Sequence, residues 1–234
     1  MMNNEGKRPQ THATAIQIAV DGPAGAGKST IAKVVAARLG FTYLDTGAMY
    51  RAVGLKALRL GLCTQDEAAV SKMAGSTDVS MLVEQGAQTV LLDGEDVTAL
   101  IRTPEVSRAA SDVSQWPAVR RRLVALQQAI AGQRSVVMDG RDIGTHVLPT
   151  AQHKFFVTAS VEARARRRLL ELQSRGSSKS FEECVRDIEE RDLQDSSRAA
   201  SPLRVADGAE VLDTTELTAE EAVEHVIRRV RQGI

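Results

Sequence analysis

The sequence predicts an open α/β fold: a parallel sheet flanked by helices and interrupted by one small antiparallel insertion. Three observations lead there. Short β-branched runs recur along the chain with helix-periodic segments between them, a pattern that needs crossover connections and hence parallel strands. One stretch, Thr77 to Val97, changes instead to short alternating segments. A cluster of glycines stands between the first apolar run and the first helical one.

In order along the chain, Ile16 to Val20 is the first strand. Thr30 to Leu39 is the first helix, with Ile31, Val34, Val35 and Leu39 on one face and Gly40 as its stop. "FTYLDTGAMYRAVGLKALRLG" reads as a second strand to Leu44, a turn from Asp45 to Gly47, and a helix through Leu60. Thr64 and Glu67 have capping-box spacing for a further short helix. The antiparallel segment is broken at Gly86 and at Asp93-Gly94, both turn signals. A polar stretch containing Pro104 follows, then a helix opened by Pro117 and closed by Gly132. "SVVMDG" and "KFFVTA" are compact strands. A basic helix, Ala163 to Arg175, and a mixed-charge one, Phe181 to Leu193, flank the loop "SRGSSKS". Strand "AEVLDTT" and a helix from Thr218 to Arg231 complete the pattern.

The 234 residues suit one domain with insertions, spanning 16–234 behind a flexible arm at 1–15. Lys plus Arg and Asp plus Glu balance at 30 each, so no global field draws the chain to nucleic acid or a membrane, and a charged partner must be bound by a local cluster. Cys63 and Cys184 lack metal-ligand or CxxC spacing, which suits a reducing compartment. The start has no apolar core of a signal peptide, and no stretch approaches a membrane span, so a cytoplasmic protein is expected. His12, His146, His153 and His225 form no ligand set, so no structural metal is expected. With no heptads or long apolar patch, the expected state is a monomer.

Gly22 to Ser29 fits GxxxxGK[ST] between a strand and a helix, the context in which that pattern has a mechanical meaning. Its backbone N–H groups converge on phosphate oxygens, and the helix N-terminus adds positive potential. Glycine is required where a Cβ would obstruct the turn or the approach of phosphate. The loop therefore holds a nucleoside triphosphate, with Lys28 reaching the β- and γ-phosphates and Ser29 ligating Mg²⁺. The base-reading NKxD of GTPases and the LSGGQ of transport ATPases are both absent. Arg51, Arg141, Arg191 and Arg198 each stand in or beside a turn, where planar guanidinium forks suit the clamping of a second phosphate.

"DGPAGAGKST", "YLDTGAMYR", "IRTPEVSRAASDVSQWPAVR", "MDGRDIGT" and "ERDLQDSSRAASPL", in this order, resemble the bacterial cytidylate kinases, a branch of the nucleoside monophosphate kinases. The resemblance runs from about Ile16 to the C-terminus. It implies a monophosphate-binding insertion, about 46–115, and a mobile lid, about 163–198; the antiparallel segment and the loop "SRGSSKS" match these. It implies transfer of a phosphoryl group from ATP, with Mg²⁺, to CMP and dCMP. ATP would be held by Gly22, Pro23, Ala24, Gly25, Ala26, Gly27, Lys28, Ser29 and Thr30. Arg51, Arg141 and Arg198 would contact the acceptor phosphate, Arg191 and Asp195 the ribose, and Ser111, Arg120 and Asp142 the cytosine. Thr46 stands where many members carry serine, and its phosphate-side hydrogen bond is expected to survive.

The base-reading assignment makes chemical sense, because a carboxylate accepts from the cytosine amino group and opposes the carbonyl of uracil. Lys28, Arg141, Arg191 and Arg198 are expected to neutralise charge during transfer, with no strong base required. Asp139 either orders the magnesium shell or merely forms a strand-end turn, and Asp213 presents the same alternatives. Two rival functions are weaker. "RARRRLLELQSR" would suit nucleic-acid binding, but aromatics are 3% of the chain and none interleaves with these arginines. A catalytically silent nucleotide sensor would not need the acceptor-side residues.

Overall fold

Ile18, Ala19 and Val20 are fully buried, as a central parallel strand covered on both faces requires. A computed structural model describes residues 15–84, 87–174, 176 and 178–233. The expected N-terminal arm, apart from its last residue, lies outside the described residues, as do Gly86 and two positions in the loop "SRGSSKS".

Five parallel strands form the main sheet: β1 (Gln17–Asp21), β2 (Thr42–Asp45), β6 (Val136–Gly140), β7 (His153–Thr158) and β8 (Glu210–Asp213), in the order β2-β6-β1-β7-β8. Asp21 lies opposite Gly140, Asp45 opposite Asp139, and Thr158 opposite Asp213. The loops that leave these strand ends therefore meet along one edge, where ligands bind in open α/β sheets. The insertion is a separate antiparallel sheet of β3 (Val79–Glu84), β4 (Ala87–Leu92) and β5 (Glu95–Asp96), as expected for Thr77 to Val97.

Each face of the main sheet carries its own core. Ile18 and Val20 pack with α1 (Lys28–Leu39) and α8 (Ala219–Gln232), through Ile31, Val35, Val226 and Ile227. Ala19, pointing the other way, joins α2 (Thr46–Arg59), α3 (Glu67–Gly75), α4 (Pro104–Val113) and α5 (Pro117–Ala131), through Met49, Val70, Val106 and Leu123. A third, small cluster of Ala165, Leu172, Cys184 and Ile188 joins α6 (Val161–Gln173) to α7 (Phe181–Ser197). Cys63 and Cys184 are both free thiols. Among the described residues no helix is long and apolar enough to cross a membrane.

Four local expectations are corrected. Asp45 to Gly47 is not a turn: Asp45 ends β2 and caps α2 directly, its carboxylate accepting the Ala48 N–H at 3.0 Å. Helix α3 is capped by Asp66, not Thr64, whose hydroxyl donates to Asp112 at 2.6 Å. The polar stretch with Pro104 is helical, since Thr103 caps it, Pro104 occupies its first turn, and Val106, Ala109, Ala110 and Val113 form a buried stripe of small residues. Helix α7 runs on to Ser197, which places Arg191, Asp195 and Arg198 at one helical spacing.

Candidate active site

The phosphate loop runs from Gly22 to Gly27 between β1 and α1. Gly22 has φ of 142°, and a Cβ there would fall 1.9 Å from the Val157 carbonyl oxygen; Gly27, which precedes the helix, has φ of 89°. At Gly22 both space and conformation require glycine, and at Gly27 the positive φ favours it. The loop is also tied from outside: Thr214 donates to the Ala26 carbonyl at 3.1 Å and Arg164 to that of Ala24 at 3.3 Å. Lys28 is 5% exposed and folds back, its Nζ donating to the Pro23 carbonyl at 2.6 Å. Burial, reinforced by Arg141, pushes its pKa well below the ordinary lysine value, against the opposing pull of Asp139 and Asp195. An incoming polyphosphate would relieve that strain on the cation.

Asp139, at the end of β6, is 5% exposed and accepts two hydroxyl hydrogen bonds, from Ser29 at 2.6 Å and Tyr43 at 2.8 Å. Burial and the nearby Asp45 raise its pKa. The carboxylate is thus directed at the loop serine rather than spent on a local turn. Asp213 is different: it is exposed and accepts from the N–H and hydroxyl of Thr215 at 2.8 and 2.6 Å, a strand-end turn. Ser29 and Asp139 together form a hard oxygen donor pair suited to Mg²⁺. Among the described residues no group of three or more His, Cys, Asp or Glu could hold a metal. A divalent cation here would take most of its shell from phosphate and water, as Mg²⁺ commonly does.

The acceptor side is a net of arginines and carboxylates. Arg51, on α2, donates to Asp45 at 2.6 Å, and Arg102 reaches the same oxygen at 3.3 Å. In the turn after β6, Arg141 donates from Nε to Asp195 on α7 at 2.7 Å, while Asp142 pairs with Arg120 of α5. Arg120 also donates to the Ser114 carbonyl at 3.1 Å and lies 5.5 Å over the Tyr50 ring. Arg198 stands 3.3 Å from Asp195 and donates to the Ser114 hydroxyl at 3.2 Å. Burial works to raise the Asp195 pKa, but Arg141, Arg198 and Arg191 outweigh it and hold the carboxylate below its usual range. Burial and Arg141 push Arg191 down to about 10, so it stays charged at neutral pH.

Arg51 Nε, Arg120 Nε and Arg191 Nε are buried without a hydrogen-bond partner, and Arg198 Nη2 has only its 3.3 Å ion pair with Asp195. Buried donors of this kind are costly unless a ligand completes them. Ser111 donates to Gln194 on α7 at 2.7 Å, and Thr46 donates to the Asp139 carbonyl at 2.8 Å. Both hydroxyls are thus engaged within the protein, and their oxygens remain able to accept.

Sequence reasoning missed several supports. Tyr43 reads as a strand aromatic, yet its hydroxyl orients Asp139. Arg164 and Thr214 sit in stretches read as a basic helix and a strand end, and only the sheet order brings them to the phosphate loop. A groove of about 590 Å³ between α3 and α5, lined in part by Ser71, Asp78, Arg121 and Arg122, contains none of the predicted site residues.

The sequence model described as cytidylate kinase matches residues 18–232. A cytidylate kinase from Desulfitobacterium hafniense is 55% identical over 212 residues, covering 91% of each chain. One from Caldicellulosiruptor bescii is 52% identical over 212 residues, covering 91% of this chain and 94% of its own. The crystal structure of an uncharacterized protein from Eubacterium ventriosum shares the fold at 10% identity, with a TM-score of 0.52 over 92% of this chain and 98% of its own. With a P-loop site whose residues all fall within that match, the chain belongs to the cytidylate kinase family and is an enzyme, a transferase of the kinase class.

Proposed function

We propose that the protein transfers the γ-phosphoryl group of ATP to CMP and dCMP, giving ADP and the corresponding diphosphate. The observation that carries this reading is the set of buried arginine donors gathered with Lys28 at one edge of the sheet, the Nε groups of Arg51, Arg120 and Arg191 without a hydrogen-bond partner and Nη2 of Arg198 held only by its ion pair to Asp195. They supply what a second anionic nucleotide needs and what ATP alone would leave unused.

Phosphoryl transfer through a loose transition state asks mainly for alignment and charge stabilisation. The acceptor phosphate is already a dianion, so its oxygen attacks without a strong general base. Arg51, Arg141 and Arg198 hold that phosphate, and Lys28 follows the charge moving between donor and acceptor. Ser29 and Asp139 would hold Mg²⁺ together with the nucleotide, and the ion would supply neutralisation of the donor oxygens. Arg191 and Asp195 face the ribose. Asp142, fixed by Arg120, accepts from the cytosine amino group, while Arg120 and the Ser111 hydroxyl, once turned from Gln194, donate to O2 and N3.

Residues 46–115 form the monophosphate-binding insertion and 163–198 the lid. Helices α6 and α7 have their own small core and meet the rest of the site through polar links, Arg141 to Asp195 and Arg164 to Ala24. Such links can re-form in a second position, so the pair can close and exclude water. We place the protein in the cytoplasm as a monomer, without nucleic-acid partners.

Asp142→Ala tests the base reading in steady-state assays with CMP and UMP. The expected result is a loss of about 100-fold or more in kcat/KM for CMP, with the preference over UMP collapsing. An unchanged CMP-to-UMP ratio would remove Asp142 from base recognition.

A further inference from the structure

The turn that carries Arg141 and Asp142 is held by a residue from another strand. Directly after Asp142 the chain makes one π-helical turn, Ile143–Val147, whose first backbone N–H groups have no partner within the turn. The Asp21 carboxylate supplies both: Oδ1 accepts from Ile143 and Oδ2 from Gly144, each at 2.7 Å. Asp21 is the last residue of β1 and immediately precedes Gly22 of the phosphate loop. Strands β1 and β6 are neighbours with Asp21 opposite Gly140, so the turn folds back over the end of β1 and onto this carboxylate.

The fit is close. Asp21 is 3% exposed, and a Cβ on Gly144 would fall 3.3 Å from its Oδ2 and 3.1 Å from the Ala206 Cβ. Glycine at 144 lets the second N–H reach the carboxylate. Burial pushes the Asp21 carboxyl up to about 6, with the Gly144 and Ile143 N–H groups pulling it back down; Asp142 adds to the rise and Lys28 opposes it. At neutral pH the group is ionised, so both bonds are charge-assisted.

We infer that Asp21 is a positioning residue that fixes the acceptor-reading turn to the end of the donor-phosphate strand, so that Arg141 and Asp142 are presented to the acceptor nucleotide in register with the phosphate loop. It touches neither nucleotide. The inference rests on the reading of Arg141 and Asp142 given above, and it gives a role to the aspartate that opens "DGPAGAGKST", which the motif alone leaves without one.

Asp21→Asn is the test, because the amide has the same shape but can accept only one of the two N–H groups. Three readings are taken on the full chain beside wild type and Asp142→Ala: KM for CMP, KM for ATP, and hydrogen exchange of the substrate-free protein over 141–148 and 20–30. Expected for Asp21→Asn are a rise of about tenfold in KM for CMP, a change of less than about twofold in KM for ATP, and faster exchange confined to 141–148. An unchanged KM for CMP, a parallel rise in both KM values, or exchange raised equally in both segments would overturn the inference. So would a variant that does not fold, since Asp21 would then belong to the core rather than to the turn. If Asp142→Ala itself leaves KM for CMP unaltered, the base reading fails, and the exchange measurement alone decides whether Asp21 holds the turn.

Discussion

Single residues at this site are kept in states that isolated side chains would avoid. Lys28 and Asp21 are buried and Arg191 is half-buried, all with pKa values moved against their charged forms, which is the cost of assembling a phosphate site before the phosphate arrives. For Asp21 this has a sign that can be measured. Its carboxyl is raised from the ordinary 3.8 to about 6 in the folded chain, so the folded state binds the proton more tightly than the unfolded one. The stability it contributes is present below pH 3.8 and is lost as pH rises through about 6. Urea unfolding of wild type and Asp21→Asn between pH 4 and 7 should show the difference in stability, wild type minus variant, falling by roughly 2 kcal/mol. A difference that is flat with pH would mean that Asp21 titrates normally. Of the residues discussed, Lys28 and Ser29 were legible from spacing alone, because a phosphate cradle constrains consecutive residues. Asp21, Tyr43 and Thr214 were not, because each acts across the sheet on a residue far away in the chain.

At the scale of elements, helix α7 shows how an amphipathic pattern serves a site. A single stripe buries Cys184 and Ile188 against α6 near its start and, further along, carries Arg191, Asp195 and Arg198 toward Arg141 and Ser114. Its length was underestimated because Gln194 to Ser197 offers no apolar periodicity; the polar end is ordered by ion pairs instead. Helix α4 was hidden for a related reason, since its buried stripe is mostly alanine and valine and its flanks are polar. Small residues there let α2 approach closely: a Cβ on Gly54 would lie 2.8 Å from the Ala110 N and 3.0 Å from the Ala109 carbonyl carbon. Gly54→Ala, usually favourable within a helix, should therefore destabilise the protein by about 1–3 kcal/mol in thermal or urea unfolding. A neutral or stabilising result would show that the two helices can part without cost.

Across the whole molecule, the sheet order β2-β6-β1-β7-β8 is what turns scattered motifs into one site, for it brings the loops after β1, β2, β6, β7 and β8 to a common edge. The alternation of strands and helices was legible because each strand is short, apolar and bounded by a helix. The strand order was not, since nothing local records which strands are neighbours. The same edge gathers donor and acceptor residues with Lys28 between them, and the arginine donors left unpartnered belong to the acceptor half. That division is the central claim, and its most direct test is ADP release from Mg-ATP with CMP, dCMP, UMP, AMP or GMP, and with no acceptor. Turnover that depends on an acceptor and is highest with CMP and dCMP is the result expected. Turnover led by another monophosphate would contradict the cytosine assignment, and ADP release that ignores the acceptor would contradict the account of the site altogether.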